Sequence, residues 1–158
     1  SLWDSENLYL ALPFAAPGGE LWIDKPGGAL RPWRDQLPDT LTDWVCVQEG
    51  FASCGSGLGI AVTTPDAPLL QLGPLEFGRR RLMGHPDLVT GSPRPYSWLM
   101  TNYWETNFEA NLGGFYEFAY RVEFGPHLAD PHRAVRHCDL LNQGLKAFRV
   151  LPSPGSRP

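Results

Sequence analysis

Charge and cysteine are both scarce in this sequence of 158 residues, and each shortage excludes a class of protein. Charged residues make up 19% of the chain and the formal net charge is −4. Because phosphate backbones need a basic face, nucleic acid is not an expected partner. The 3 cysteines, with no CxxC pair, provide neither a disulfide framework nor a zinc knuckle, and they favour a reducing, cytoplasmic compartment. No apolar run approaches the ~20 residues of a membrane helix, so no membrane partner is expected.

Glycine and proline are abundant, at 17 and 16 residues, and they separate short β-branched and aromatic runs. Short strand-like runs separated by turn residues are typical of an all-β protein, and we expect an antiparallel β-sandwich. The chain shows no internal repeat, and one core suffices for its length. We therefore predict one domain over residues 1–151 and a linker-like tail over residues 152–158. The predicted strands cover residues 7–14, 20–24, 43–51, 58–64, 69–73, 96–104 and 114–124.

Two of these runs carry specific predictions about burial. Residues 7–14 are nearly all apolar, as in a strand buried on both faces, and Pro13 places the strand near an end or an edge of its sheet. Residues 114–124 alternate, and alternation sends successive side chains to opposite faces. We expect one face of this strand to be buried, with the residues Tyr116, Phe118, Tyr120, Val122 and Phe124.

The connections between the runs also carry predictions. Residues 55–57 should turn the chain into a hairpin between the strands on either side. Residues 74–95 show no clear periodicity and are predicted to form a long connection. One short C-terminal helix should begin at Asp130, which can cap it, with Pro131 in its first turn. The apolar residues that recur at helical spacing after that point are Ala134, Val135, Cys138, Leu141 and Leu145.

The motifs that usually carry catalysis or metal binding are missing. His127, His132 and His137 are spaced by five, whereas ligands on one helical face recur at three or four. We therefore expect solvated or helix-terminal histidines and no metal site. The glycine-rich residues 55–59 precede a strand, so they predict a hairpin and not a phosphate-binding loop. No Gly-x-Ser-x-Gly elbow occurs, and the sequence predicts no catalytic residue.

One polar and aromatic stretch, residues 102–107, has the composition of a sugar site. Asparagine amides pair with sugar hydroxyls, and aromatic rings offer apolar platforms. The alternative is that these aromatics fill the sandwich core and Asn107 makes a turn. If the stretch binds a sugar, the contacting residues are Asn102, Tyr103, Trp104, Thr106 and Asn107.

Several blocks of the chain, in order, resemble the C-terminal β region of family-38 glycoside hydrolases, the α-mannosidases. The strongest block, YSWLMTNYWETNF at residues 96–108, is similar to the Asn-x-Trp-x-Thr-Asn stretch of the bacterial branch. Animal members carry a different, Arg- and Asp-rich block there, so their active-site contacts do not transfer. The remaining blocks are residues 7–14, 35–38, 43–48, 57–73, 113–114 and 118–121.

This resemblance implies a supersandwich-like, galactose-mutarotase-like fold and a bacterial, cytoplasmic parent enzyme. In that family the zinc ligands, the nucleophile and the acid/base lie upstream of the β region. We therefore expect a non-catalytic fragment with no cofactor of its own. Its expected partners are the catalytic domain of the same parent chain, to which the resemblance assigns zinc, and a mannoside. Two alternatives stay open, a free-standing carbohydrate-binding module and a purely structural interface domain.

Overall fold

The computed structural model describes residues 6–75, 82–85, 94–102 and 113–147. These residues form nine strands, one 3-10 helix and one α-helix. The elements are β1 Asn7–Ala11, β2 Glu20–Lys25, β3 Gly28–Leu30, β4 Trp44–Cys46, β5 Gly50–Gly55, β6 Leu58–Thr63, β7 Leu69–Gln71, β8 Tyr96–Thr101, β9 Arg121–Gly125, the 3-10 helix η1 Pro126–Leu128 and α1 Pro131–Gln143.

The strands form two antiparallel sheets, so the predicted antiparallel sandwich is confirmed. Sheet A has the order β1-β8-β7-β4, and sheet B has the order β3-β2-β5-β6-β9. A main core fills the space between the sheets, with Val45 and Leu70 from sheet A and Ile23, Phe51 and Val62 from sheet B. The buried apolar side chains of both sheets interdigitate there, as in other sandwiches.

A third layer, which the sequence did not predict, lies on the other face of sheet B. Helix α1 packs Ala134, Val135 and Cys138 against the small residues Ala52 and Ala61. Small side chains on the strands let the helix backbone approach closely, and a dense interface follows. Strand β5 is consequently buried on both faces from Gly50 to Cys54.

The predicted hairpin and helix are confirmed. Ser56 and Gly57 connect β5 to β6 with φ values of 47° and 77°, as a two-residue turn of the I′ type requires. Asp130 caps α1, since its side chain accepts a hydrogen bond from the Arg133 amide at 2.8 Å. The helix ends at Gln143, so Leu145 is fully exposed and its predicted place on the helix was wrong. Among the described residues, no helix has the length and apolar character to cross a bilayer.

Three strand predictions need correction, and one strand was not predicted. The single run 43–51 is two strands, because β4 belongs to sheet A and β5 to sheet B. Strand β1 is a sheet edge, as Pro13 indicated, but Leu8 and Leu10 are 53% and 40% exposed, so burial on both faces was wrong. The short strand β3 was not predicted at all.

The third correction concerns β9, which is shorter than predicted and exposes two of the residues assigned to the core. Val122 and Phe124 are 42% and 72% exposed. Their partners in β6, Val62 and Ile60, belong to the main core or pack against it, so burial of a β6 residue does not extend to its neighbour on this edge strand. Tyr116 is also exposed, whereas Tyr120 packs on the core and donates a hydrogen bond to Ser97 Oγ at 2.8 Å.

Other predictions lie outside the described residues in whole or in part. Strand β8 ends at Thr101, and residues 103–104 of the predicted strand are not described. Of the connection 74–95, only residues 74–75, 82–85 and 94–95 are described, with a bridge from Leu82 to Leu41. The tail 152–158 is not described either, so the predicted domain boundary stays a prediction.

Candidate functional site

The candidate sugar site begins where β8 ends, at Asn102. The other four predicted contacts, Tyr103, Trp104, Thr106 and Asn107, lie outside the described residues. The Asn102 amide N–H donates to the Glu6 carbonyl at 3.0 Å, and Asn102 Oδ1 accepts a hydrogen bond from the Glu6 N–H. Asn102 therefore holds the chain just before β1 against the end of β8.

A cleft of about 460 Å³ opens beside this junction. Its volume falls within the ~300–1,000 Å³ typical of small-molecule sites. Polar and apolar groups both line it, which suits a ligand with hydroxyls and a hydrocarbon face. The described lining residues are Glu6, Asn7, Leu8, Met100, Thr101, Asn102 and Gly113.

Three aromatic rings stack across sheet A next to the cleft. Trp98 of β8 lies between Tyr9 of β1 and Trp44 of β4, with ring centroids 5.7 and 5.8 Å away and interplanar angles of 23° and 26°. These are offset-stacked geometries, which stabilise aromatic pairs beyond their buried area. The Trp98 indole N–H donates to the Met100 carbonyl at 3.1 Å, and burial raises the pKa of Tyr9. All three residues of the row are half-buried.

The described lining of the cleft does not contain the pair of carboxyl groups that hydrolysis of a glycosidic bond needs. Hydrolysis of the usual kind needs two opposed carboxyl groups on either side of the bond. Of the described residues that line the cleft, Glu6 alone carries a carboxylate. These described residues can hold or orient a sugar, but they do not supply both an acid and a nucleophile.

A second cluster joins β9, η1 and α1. The Glu123 carboxylate lies between two imidazoles, with Oε1 2.9 Å from His127 Nε2 and Oε2 2.8 Å from His137 Nε2. The two rings meet edge to face, with centroids 5.9 Å apart. Hydrogen bonds from His137 and His127 lower the pKa of Glu123, so its carboxylate is ionised at neutral pH.

Comparisons with known proteins do not add to this geometry. No family model, no curated protein and no solved structure matches the chain. Its function therefore has to be inferred from its own residues and their arrangement.

The sequence interpretation missed this second cluster because it tested the histidines along a single helix. His132 does point away from the other two histidines, and its ring centroid lies 5.9 Å from that of Trp22 in β2. His127, however, belongs to η1 and not to α1, and the turn between them brings it back toward His137. The one signal present was the spacing of four between Glu123 and His127. This is a helical spacing, but it extends across Gly125 and Pro126 at the end of a predicted strand, so it did not indicate a site on a helix.

Proposed function

We propose that this chain is a non-catalytic β-sandwich domain of an α-mannosidase-like glycoside hydrolase, which supports the catalytic domain and contacts the sugar through the cleft at Asn102. The observation that carries this proposal is the cleft itself. The cleft lies between the start of β1 and the end of β8, and its described lining residues include a single carboxylate. Such a cleft suits orientation of a substrate whose bond is broken by groups from elsewhere.

Exposed apolar side chains on one edge strand of each sheet support packing against another domain. Leu8 and Leu10 on β1, and Val122 and Phe124 on β9, are all at least 40% exposed. Large exposed apolar residues grouped on sheet edges are typical of surfaces that a partner covers. The proposal assigns these edges to the interface with the catalytic domain.

The finer details follow from the resemblance and are part of the same proposal. The sandwich is of the supersandwich, galactose-mutarotase-like type, and the parent enzyme works in a bacterial cytoplasm. Three free cysteines support a reducing compartment. Zinc belongs to the catalytic domain of the parent and not to the sugar cleft of this chain.

The test has a biochemical part and a genetic part. The purified chain is assayed on an aryl α-mannoside, and no turnover above background is expected, because the described lining of the cleft offers one carboxylate where hydrolysis needs two. The coding sequence upstream of residue 1 is then read for a domain with an Asp/His metal set. Turnover by the isolated chain, or an upstream region without any such domain, contradicts the proposal.

The row Tyr9, Trp98 and Trp44 specifically favours a second candidate, a free-standing carbohydrate-binding module. Aromatic platforms on a sheet face bind sugar rings by stacking. Titration of the chain with mannose and manno-oligosaccharides by calorimetry separates the candidates: saturable heat that Trp98→Ala abolishes favours the module. Trp22→Ala, on the other sheet, is the matched control. If the chain neither binds sugar nor turns over the mannoside, and no catalytic domain lies upstream, a structural interface domain is favoured.

A further inference from the structure

The cluster of Glu123, His127 and His137 gathers three metal-binding side chains from three different elements. Their ligand atoms all lie within 4.8 Å of one another. Glu123 comes from the edge strand β9, His127 from η1 and His137 from α1. All three side chains remain accessible, with 37%, 43% and 23% of their surfaces exposed. An ion can therefore reach the cluster from solvent.

The donor set matches one class of ion. Two imidazole nitrogens with one carboxylate suit zinc and neighbouring transition metals, whereas magnesium and calcium prefer oxygen ligands alone. In a tetrahedral zinc site with bonds of about 2.1 Å, ligand atoms lie roughly 3.4 Å apart. The observed separations of 2.9 and 2.8 Å involve the two different oxygens of Glu123, and the three ligand atoms all lie within 4.8 Å of one another. Small movements of these side chains would bring the ligand atoms to the zinc spacing, with the ion replacing the shared protons.

The framework around the cluster is fixed by packing. Leu128, at the end of η1, is fully buried between β6 and α1. The Asp130 cap fixes the start of the helix that carries His137. Glu123 is held in β9 by its pairing with Ala61 of β6. Ligands on such rigid elements keep their relative positions, which favours binding of an ion.

The glycine between the first two ligands gives the His127 ring its space. A Cβ added at Gly125 would lie 2.6 Å from His127 Nδ1 and 2.8 Å from its Cε1. The ring therefore folds back over the glycine toward Glu123. Because of this close approach, the side chains of Glu123 and His127 converge although the two residues are four positions apart across the end of a strand.

We propose that Glu123, His127 and His137 form a binding site for a divalent transition-metal ion, with zinc as the best match to the donors. Three protein ligands leave at least one coordination position for water or for a ligand from a partner. The ion links β9 and η1 to α1 and so stabilises the layer that covers sheet B. This site is separate from the sugar cleft, which lies at the end of sheet A.

The experiment titrates zinc into the metal-free 158-residue chain, purified without a histidine tag. We expect one ion per chain by calorimetry and a higher melting temperature with zinc. His127→Ala, His137→Ala and Glu123→Gln should each weaken binding by more than about 100-fold, because even supporting residues around metal ligands cost 10–100-fold. Each variant is first checked for an unchanged urea midpoint without metal, and any variant that is unfolded is set aside for the other two.

Matched controls distinguish this site from adventitious binding. His85 and Asp39 form a histidine–carboxylate pair at 2.8 Å without a second histidine, so His85→Ala should leave zinc binding unchanged. His132→Ala removes a helix histidine outside the cluster, and Cys46→Ser removes the exposed thiol. Absence of zinc binding by the wild-type chain overturns the proposal. So does binding that survives the three cluster variants or that is lost in a control.

Discussion

Strand β6 contacts the backbone of η1 at Gly59, and this contact yields a sharp prediction. A Cβ added at Gly59 would lie 1.7 Å from the Leu128 carbonyl oxygen and 2.2 Å from its carbonyl carbon. Real Cβ atoms essentially never approach another atom within 3.0 Å, so the two backbones must separate by at least about 1.3 Å. Strand β6 cannot yield, because it is paired with β5 on one side and β9 on the other.

The substitution Gly59→Ala should therefore displace η1 and lift Leu128 from its cluster. Leu128 is fully buried, and its cluster includes Cys54, Val135 and Cys138. Full burial of a leucine side chain contributes about 2–3 kcal/mol, and overpacking a core costs about 1–3 kcal/mol. Since only part of the leucine surface is lost, we expect a decrease of about 3 kcal/mol in the free energy of unfolding. That is a large fraction of the ~5–15 kcal/mol typical of a domain.

Urea unfolding followed by tryptophan fluorescence measures this effect as a lower midpoint at an unchanged m-value. Gly125→Ala is the matched control, because Gly125 lies opposite Gly59 in β9. The three atoms nearest to its added Cβ all belong to the ring of His127. This ring is partly exposed and can turn away, so we expect a loss below about 1 kcal/mol. A Gly59→Ala variant within about 0.5 kcal/mol of wild type refutes the reasoning, and so does an equal loss in both variants.

Three further predictions concern the helix cap and the thiols. Asp130→Ala should lower the free energy of unfolding by about 1 kcal/mol, because the Arg133 amide loses its hydrogen-bond acceptor. Asp130→Asn keeps an acceptor and should lower it by only a few tenths of a kcal/mol. Equal urea midpoints for the two variants would contradict the role of Asp130 as a cap. A thiol reagent at neutral pH should modify Cys46 alone, since Cys54 and Cys138 are buried. A second fast-reacting thiol in the native chain would be inconsistent with that burial, and so would fast reaction of the Cys46→Ser variant. Burial raises the pKa of Cys54 to about 11 and that of Cys138 to about 12, from an ordinary 9.0. These thiols therefore ionise at lower pH in the unfolded chain than in the folded one. The free energy of unfolding should consequently fall as pH rises from about 9 toward 12. Unfolding midpoints measured in a reducing buffer at pH 8 and pH 10 check this, and an equal or higher midpoint at pH 10 would count against it.

The sequence predicted local structure better than it predicted which face of a strand is covered. The hairpin at residues 55–57 and the helix start at Asp130 were found because turn and cap residues act over a few neighbours. The division of residues 43–51 into β4 and β5 was missed, because a strand that leaves one sheet for another keeps the same apolar character. Burial of Val122 and Phe124 was predicted wrongly because alternation identifies two faces without showing how far the opposing sheet extends.

The candidate sites show the same limit, because each depends on contacts between residues that are far apart in the sequence or in different elements. Asn102 was identified by composition, and its place at a cleft depends on the pairing of β1 with β8 over a separation that no local pattern reports. The cluster of Glu123, His127 and His137 depends on how far η1 approaches β6. If Gly59 carried a side chain, Leu128 could not contact β6, and His127 would be carried away from Glu123 with it. A glycine with no chemistry of its own thus controls the distance between the ligands, and a search for ligand residues alone would not find it.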